Sequence, residues 1–326
     1  MGEGARAFWV TGPGQGEIRD VMLPSRGPDD LLVRTCFTGI SRGTESLVFA
    51  GRVPQSEWTR MRAPFQDGEF PAPVKYGYMN VGVVEEGPAE LRDRHVFALY
   101  PHQTRYVVPA SWAHPLPDGL PPRRAVLAAN LETAVNGLWD ARPHVGDRIT
   151  VIGAGTVGCL VAWLAARVVA CRVQLVDVNP RRADVARLLG VPFASPETAE
   201  AGADVVIHAS GAPDGLERAL RLAGVEATIV ELSWYGDRPV SLPLGGPFHA
   251  NRLTIAASQV GRIAPSQRAR WDTRRRMHLV LDLLGDPSLD ALLTGESRFE
   301  ALPETMSALA RSAGDTLCHV VRYGDV

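Results

Sequence analysis

Lysine is nearly missing from this chain: Lys75 is the one lysine among 34 basic residues, and the other 33 are arginine. A GC-rich genome accounts for most of that bias, but not for the survivor's place in Pro73-Val74-Lys75-Tyr76-Gly77-Tyr78. Cysteine is scarce too. The four, at 36, 159, 171 and 318, form no CxxC pair and no cluster. That pattern argues against a structural zinc site or a disulfide framework and fits a reducing cytoplasm. Long apolar runs are also lacking. The best membrane candidate, 159–176, is broken by Arg167, Arg172 and Gln174, too polar and too short to span. The first residues, MGEGARAFWV, show no basic region, apolar stretch and small-residue cleavage site in succession, so no signal peptide is expected. A net charge of −2 gives no broad pull toward nucleic acid or an anionic membrane. The expectation is a cytoplasmic protein with a small-molecule partner, no nucleic acid and no membrane.

What is there suits two domains: 326 residues, 45% hydrophobic, can bury a large core. Up to about residue 120, short apolar runs alternate with glycine- and proline-rich turns. Segments 31–37, 80–85, 95–100 and 106–108 read as strands, and little has helical period, so a β-rich or barrel-like domain is expected. From 121 the texture changes. Strands at 148–152, 173–177, 204–208 and 227–232 alternate with helical stretches at 123–142, 156–170 and 181–189, the pattern of a doubly wound parallel sheet. The tail holds two helices, 274–284 and 303–312, and a last strand, 317–323. The fold class is therefore α/β: a β-rich domain from 1–120 and 264–326, and a dinucleotide-binding domain over 121–263.

Gly153-Ala154-Gly155-Thr156-Val157-Gly158 matches GxGxxG, follows an apolar strand and opens a helix. Gly153 permits the tight turn, Gly155 lets backbone approach a pyrophosphate, and Gly158 allows close helix–strand packing. The helix N-terminus at Thr156 and Val157 stabilises the phosphate charge. Asp177 ends the next strand, 19 residues beyond Gly158, placed to accept from the adenosine ribose hydroxyls. A carboxylate there repels a 2′-phosphate, so NAD(H) is favoured over NADP(H). Arg181 and Arg182 have two readings, a solvated helix start or recognition of that phosphate.

A β-rich first domain, a dinucleotide-binding second half and a returning tail resemble the medium-chain dehydrogenase/reductase superfamily over essentially the whole chain. The resemblance rests on the glycine fingerprint, Gly39-Ile40-Ser41-Arg42-Gly43-Thr44-Glu45, Val74-Lys75-Tyr76-Gly77-Tyr78, Tyr106-Val107-Val108-Pro109, His208-Ala209-Ser210-Gly211 and Ser258-Gln259-Val260-Gly261. Gly-Ile-Ser-x-Gly-Thr-Glu looks most like the branch that includes bacteriochlorophyllide a dehydrogenases, which interconvert a hydroxyethyl and an acetyl group. The resemblance implies a GroES-like catalytic domain, a Rossmann domain and a homodimer. It also implies that Ser258 and Gln259 hold the nicotinamide carboxamide and that Ser210 lies in the cofactor site.

Zinc-dependent members place a cysteine where Ser41 stands and His-Glu where Tyr78-Met79 stand, with a third ligand near Ala129-Asn130. The structural-zinc lobe is missing as well. Ser41, Tyr78 and Asn130 do not make a catalytic zinc set, so the resemblance implies a zinc-independent member with no metal. Something must then supply a proton to the substrate oxygen, and Tyr78 is the first candidate. A neighbouring cation would lower its pKa from near 10. Lys75 is the cation to test, although pairing would require a turn at Gly77 because the two residues alternate in an extended segment. Glu45 is either a proton relay or a turn cap; His102 either borders the cleft or is a satisfied loop histidine. Trp58, on the long aromatic loop 52–75, joins Ser41, Tyr76, Asn130, Glu132 and Trp234 as a pocket candidate. Loops of that length often act as lids, which suggests a substrate larger than ethanol and partly apolar.

Three functions follow. The first is a zinc-independent NAD(P)(H)-dependent oxidoreductase on a ketone or secondary alcohol. The second is an enone, enoyl or quinone C=C reductase of the same superfamily. The third is a non-catalytic dinucleotide-binding protein.

Overall fold

Six strands of the second half pair in parallel in the order Phe193–Ala194, Arg172–Val176, Arg148–Ile152, Ala203–His208, Ala223–Glu231, Thr254–Ala257. Numbered within this sheet, that order is 3-2-1-4-5-6, the doubly wound arrangement whose strand order reverses beside the first strand. The computed structural model describes residues 4–312 and 314–324 and divides into two units, Met1–Ala129 with Leu281–Val326, and Asn130–Val280. Both crossings fall later in the chain than the changes of texture at 121 and 264.

In the second unit, helix Thr156–Ala165 is apolar all round and buried from Gly158 to Ala165, as expected of a helix packed among other elements rather than at a surface. Helix Pro213–Leu222 is amphipathic. Leu216, Ala219 and Leu220 share one face and join Val206 and Ile229 in the core. Full burial of each such leucine is worth about 1.5–3 kcal/mol. Arg276, 2% exposed, spans three elements of this unit. It donates to the Glu132 carboxylate at 3.1 Å, Asn136 Oδ1 at 2.6 Å and the Val260 carbonyl at 2.7 Å.

The first unit is β-rich. Its larger sheet runs Leu293–Arg298, Cys318–Arg322, Asp30–Ile40, Asn80–Glu86, His95–Ala98, Ala113–Pro115, with Arg105–Pro109 also paired to Asp30–Ile40. A second sheet runs Gln15–Met22, Gly4–Gly12, Val74–Lys75, Asp67–Gly68. The α/β class with a separate antiparallel domain is as expected. One element is not: helix Arg42–Phe49 occupies the Arg42-Gly43-Thr44-Glu45 motif, in a half that shows little helical period. Only Glu45, Val48 and Phe49 of it are buried, a spacing too brief to stand out in the sequence. Cys36, Cys159 and Cys318 are buried free thiols and Cys171 is half-buried. Among the described residues, no helix is long and apolar enough to cross a membrane.

Removing one member of a buried ion pair leaves the other charge uncompensated, at about 3–5 kcal/mol. Arg276→Met is therefore expected to lower the unfolding free energy by about that amount, read from urea titrations. Arg276→Met with Glu132→Gln should recover part of the loss.

Candidate active site

In the second unit, the glycine turn sits between the first and second strands of the sheet and is closed by backbone contact. A Cβ on Gly158 would stand 1.8 Å from the Gly153 carbonyl oxygen, and one on Gly153 would stand 2.6 Å from Ser210 Cα. Asp177 ties the turn down, accepting from the Ala154 amide at 2.6 Å and the Asn179 amide at 2.8 Å. These residues fit a nicotinamide dinucleotide: a turn without side chains, a helix N-terminus at Thr156 and Val157, and a carboxylate at the end of the next strand. Arg182 is buried while Arg181 is exposed, so a solvated helix start describes only Arg181. Ser258 donates to Asp140 at 2.6 Å, and the Gln259 side chain accepts from the Gly261 amide at 2.8 Å.

The carboxyl ends of the fourth and fifth strands hold a group of which the sequence reading had named only Ser210 as a site residue. His208 and Glu231 are register partners. His208, 0% exposed, donates from Nδ1 to the Glu231 carboxylate at 2.8 Å and accepts at Nε2 from Ser210 Oγ at 2.6 Å. Glu231 also accepts from the Ser233 amide at 2.7 Å and the Tyr235 hydroxyl at 3.1 Å. Burial and the Glu231 charge push the Tyr235 hydroxyl above its ordinary pKa. Trp234 is half-buried in the same stretch. The signal was present: two polar residues ending adjacent parallel strands stand at one depth.

In the first unit, His102 and Glu45 meet in the interior, 1% and 3% exposed. His102 Nε2 donates to Glu45 Oε2 at 2.9 Å, and the Ser41 amide donates to Glu45 Oε1 at 2.7 Å. With that ring proton on Glu45, Nδ1 accepts from Thr38 Oγ1 at 2.7 Å, and Thr38 in turn accepts from the Tyr323 hydroxyl at 3.2 Å. Thr38 and Tyr323 were not legible as site residues; 285 positions separate them.

Tyr78 is partly exposed. Burial and then the charge of Glu45 raise its pKa, while hydrogen bonding from Ser41 and Thr44 pulls the other way. The expected acidification by Lys75 is corrected here. Gly77 does turn, at φ 125°, but the Lys75 ammonium donates to Gln103 Oε1 at 3.0 Å and lies 3.9 Å from Asp67. Burial pushes the Lys75 pKa down.

The pocket candidates divide. Tyr76 packs between Phe70, at 5.7 Å between ring centroids, and Tyr78, at 6.0 Å. Trp58 donates to the Val53 carbonyl within its own loop at 3.0 Å. Phe65 stacks on Tyr100, so the aromatics of the 52–75 loop pack against their own unit instead of forming a free flap. Glu132 is engaged by Arg276; burial raises its pKa against that guanidinium. Asn130 is buried on helix Ala128–Ala141.

Comparison with known proteins gives consistent results. The chain is 32% identical over 251 residues to an L-threonine 3-dehydrogenase of Aeromonas salmonicida, covering 66% of this chain and 69% of that one. The chain belongs to the medium-chain dehydrogenase/reductase superfamily. It is also 27% identical over 286 residues to the D-guloside 3-dehydrogenase of Escherichia coli (strain K12), covering 78% of this chain and 81% of that one. A Sinorhizobium meliloti 1021 structure, assigned as a zinc-binding dehydrogenase and bound to NADP, aligns at a TM-score of 0.77 and 20% identity, over 98% of this chain and 99% of that one. No family model matches the chain. The protein is thus an NAD(P)-dependent medium-chain oxidoreductase.

One expectation is overturned. A cofactor set without zinc is contradicted by that structural relative, which is assigned as a zinc-binding dehydrogenase; it holds NADP, whereas another, from E. coli CFT073, holds NADH, and the dinucleotide is accordingly written NAD(P). Among this chain's own described residues, no three or more His, Cys, Asp and Glu side chains are grouped to hold a metal ion, and His102 and Glu45 are turned toward each other. The donor set found here does not fit the zinc of such relatives, and no step below runs through a metal.

Gly158→Ala forces the turn open. Overpacking of this kind costs about 1–3 kcal/mol of fold stability; because the dinucleotide needs the closed turn, affinity should fall as well, by up to roughly 150-fold. Titration of reduced-nicotinamide fluorescence measures it.

Proposed function

We propose that this oxidoreductase interconverts a ketone and a secondary alcohol on a medium-sized, partly apolar molecule. Within the superfamily, the Gly39–Glu45 stretch favours the branch that includes bacteriochlorophyllide a dehydrogenases, and hence a substrate bearing a hydroxyethyl or acetyl group. The observation that carries this reading is the buried run Tyr323–Thr38–His102–Glu45, which ends beside Tyr78. A carbonyl being reduced gathers negative charge on oxygen and needs a proton. A dinucleotide bound at the Gly153–Gly158 turn supplies or accepts the hydride.

Tyr78 keeps its proton across the working pH range, because its pKa is raised. It therefore acts as a hydrogen-bond and proton donor to the substrate oxygen, and Glu45 with His102 replaces the proton. Tyr78, partly exposed and backed by the buried rings of Tyr76 and Phe70, suits an apolar substituent beside the reacting carbon. The two sequence relatives named above are dehydrogenases, which favours carbinol chemistry over reduction of a conjugated C=C bond.

Two measurements test this. With nicotinamide cofactor deuterated at C4 and a series of aryl-alkyl enones, NMR should find deuterium on the carbinol carbon; deuterium on the β-carbon would make the protein a double-bond reductase. Tyr78→Phe should lower kcat/KM by roughly 10²–10⁴-fold, and an unchanged rate would remove Tyr78 from the mechanism.

A further inference from the structure

Ser210, His208 and Glu231 make an arrangement that the hydride chemistry does not use. The Ser210 hydroxyl stands 2.6 Å from His208 Nε2, and His208 Nδ1 stands 2.8 Å from Glu231. A carboxylate on Nδ1 holds the imidazole in the tautomer whose Nε2 is free to take a proton, and it stabilises the imidazolium that results. Tyr235 and the Ser233 amide fix the carboxylate in turn. Nucleophile, base and orienting acid are thus all within hydrogen-bond reach.

The local chain places the serine for attack. Strand Ala203–His208 ends on the base, Ser210 follows in an exposed turn, and helix Pro213–Leu222 begins three residues later. The Ala212 amide donates to Ser210 Oγ at 3.1 Å. Gly215, in the first turn of that helix, leaves the room the pair needs. A Cβ there would stand 2.4 Å from Ser210 Oγ and 2.6 Å from His208 Nε2. The imidazole has no exposed surface while the serine is exposed, which leaves the hydroxyl as the reactive face of the group.

We propose that Ser210 is an activated nucleophile, giving the dinucleotide-free protein a second activity: acyl transfer from short-chain esters to water. Ser210 Oγ attacks the ester carbonyl carbon and forms the new C–O bond, and its proton passes to His208 Nε2. The ester C–O bond breaks as the leaving alkoxide takes that proton. Water, giving a proton to His208 Nε2, then attacks the acyl carbon; the acyl–Oγ bond breaks as His208 returns that proton to Ser210 Oγ, and the carboxylic acid is released. Because Ser210 backs directly onto Gly153, ester and dinucleotide compete. The activity belongs to the enzyme emptied of cofactor and stands apart from the hydride chemistry proposed above.

The full-length protein, stripped of dinucleotide, is treated with a fluorophosphonate probe and, separately, with 4-nitrophenyl acetate. Mass spectrometry should place one phosphonyl adduct on Ser210. Both labelling and ester turnover should fall at least about a hundredfold in Ser210→Ala and in His208→Gln, each variant assayed at a temperature where circular dichroism shows it folded. Added reduced dinucleotide should slow labelling in proportion to its occupancy. Glu231→Gln removes the carboxylate that orients the imidazole and stabilises the imidazolium formed during attack, so the rate of labelling should drop. Labelling no faster than in Ser210→Ala, or an adduct on another residue, would overturn the proposal. So would His208→Gln labelling at the full rate, since that would leave Ser210 as a plain turn serine.

Discussion

Parallel pairing makes every strand of the second unit end on the same edge, and its polar chemistry collects there as a consequence. The interior of such a sheet is covered on both faces and admits little besides Val, Ile, Leu and Ala. Polar side chains are therefore tolerated where the strands stop. The Gly153 turn follows the first strand, Asp177 follows the second, His208 closes the fourth, Glu231 closes the fifth and Ser258 follows the sixth. Reversal of strand order beside the first strand opens a crevice between the first and fourth. Ser210 meets Gly153 at that place. Cofactor turn and histidine group are thus neighbours for a topological reason, and each constrains what can occupy the other.

The near-absence of lysine acquires structural content once the buried cations are seen. Arg276 reaches a carboxylate, an amide oxygen and a backbone carbonyl. Arg124, in the other unit, grips both oxygens of Asp290 and also the carbonyls of Leu284 and Gly285. A planar fork with five donors satisfies such sets, whereas an ammonium on a flexible stem does not. Codon bias explains arginine on the surface. At these two positions, geometry would select it regardless. Lys75 is the contrast: its ammonium makes a hydrogen bond to Gln103, and burial lowers its pKa.

Local signals carried much of the fold. The doubly wound half was readable because four of its six strands announced themselves within ten to fifteen residues, and the glycine fingerprint fell in the context that gives it meaning; the short strands Phe193–Ala194 and Thr254–Ala257 and helix Pro213–Leu222 were not read. Helix Arg42–Phe49 was hidden by its brevity, since eight residues with three buried positions barely establish a period. The site was harder. Glu45 and His102 could be nominated singly, but their 2.9 Å contact joins positions 57 apart, and Tyr323 closes on Thr38 from the far end of the chain. Partners brought together by tertiary packing leave no spacing to read. Lys75 shows the converse error: closeness in sequence to Tyr78 suggested a pairing that strand alternation opposed, and the side chain found Gln103 instead.

Among the described residues, two buried histidines each pair with a carboxylate, and the third member decides how they differ. At His102 the other ring nitrogen meets Thr38, itself buried and backed by a buried Tyr323. A proton arriving there stays within a closed run of hydrogen bonds, where low local dielectric strengthens each link. At His208 the other ring nitrogen meets an exposed serine. The same acid–imidazole unit therefore faces inward in one case, suited to storing and returning a proton. In the other it faces outward, suited to stripping a proton from a hydroxyl that an incoming molecule can reach. What separates a relay from a nucleophile here is the solvent exposure of one hydroxyl.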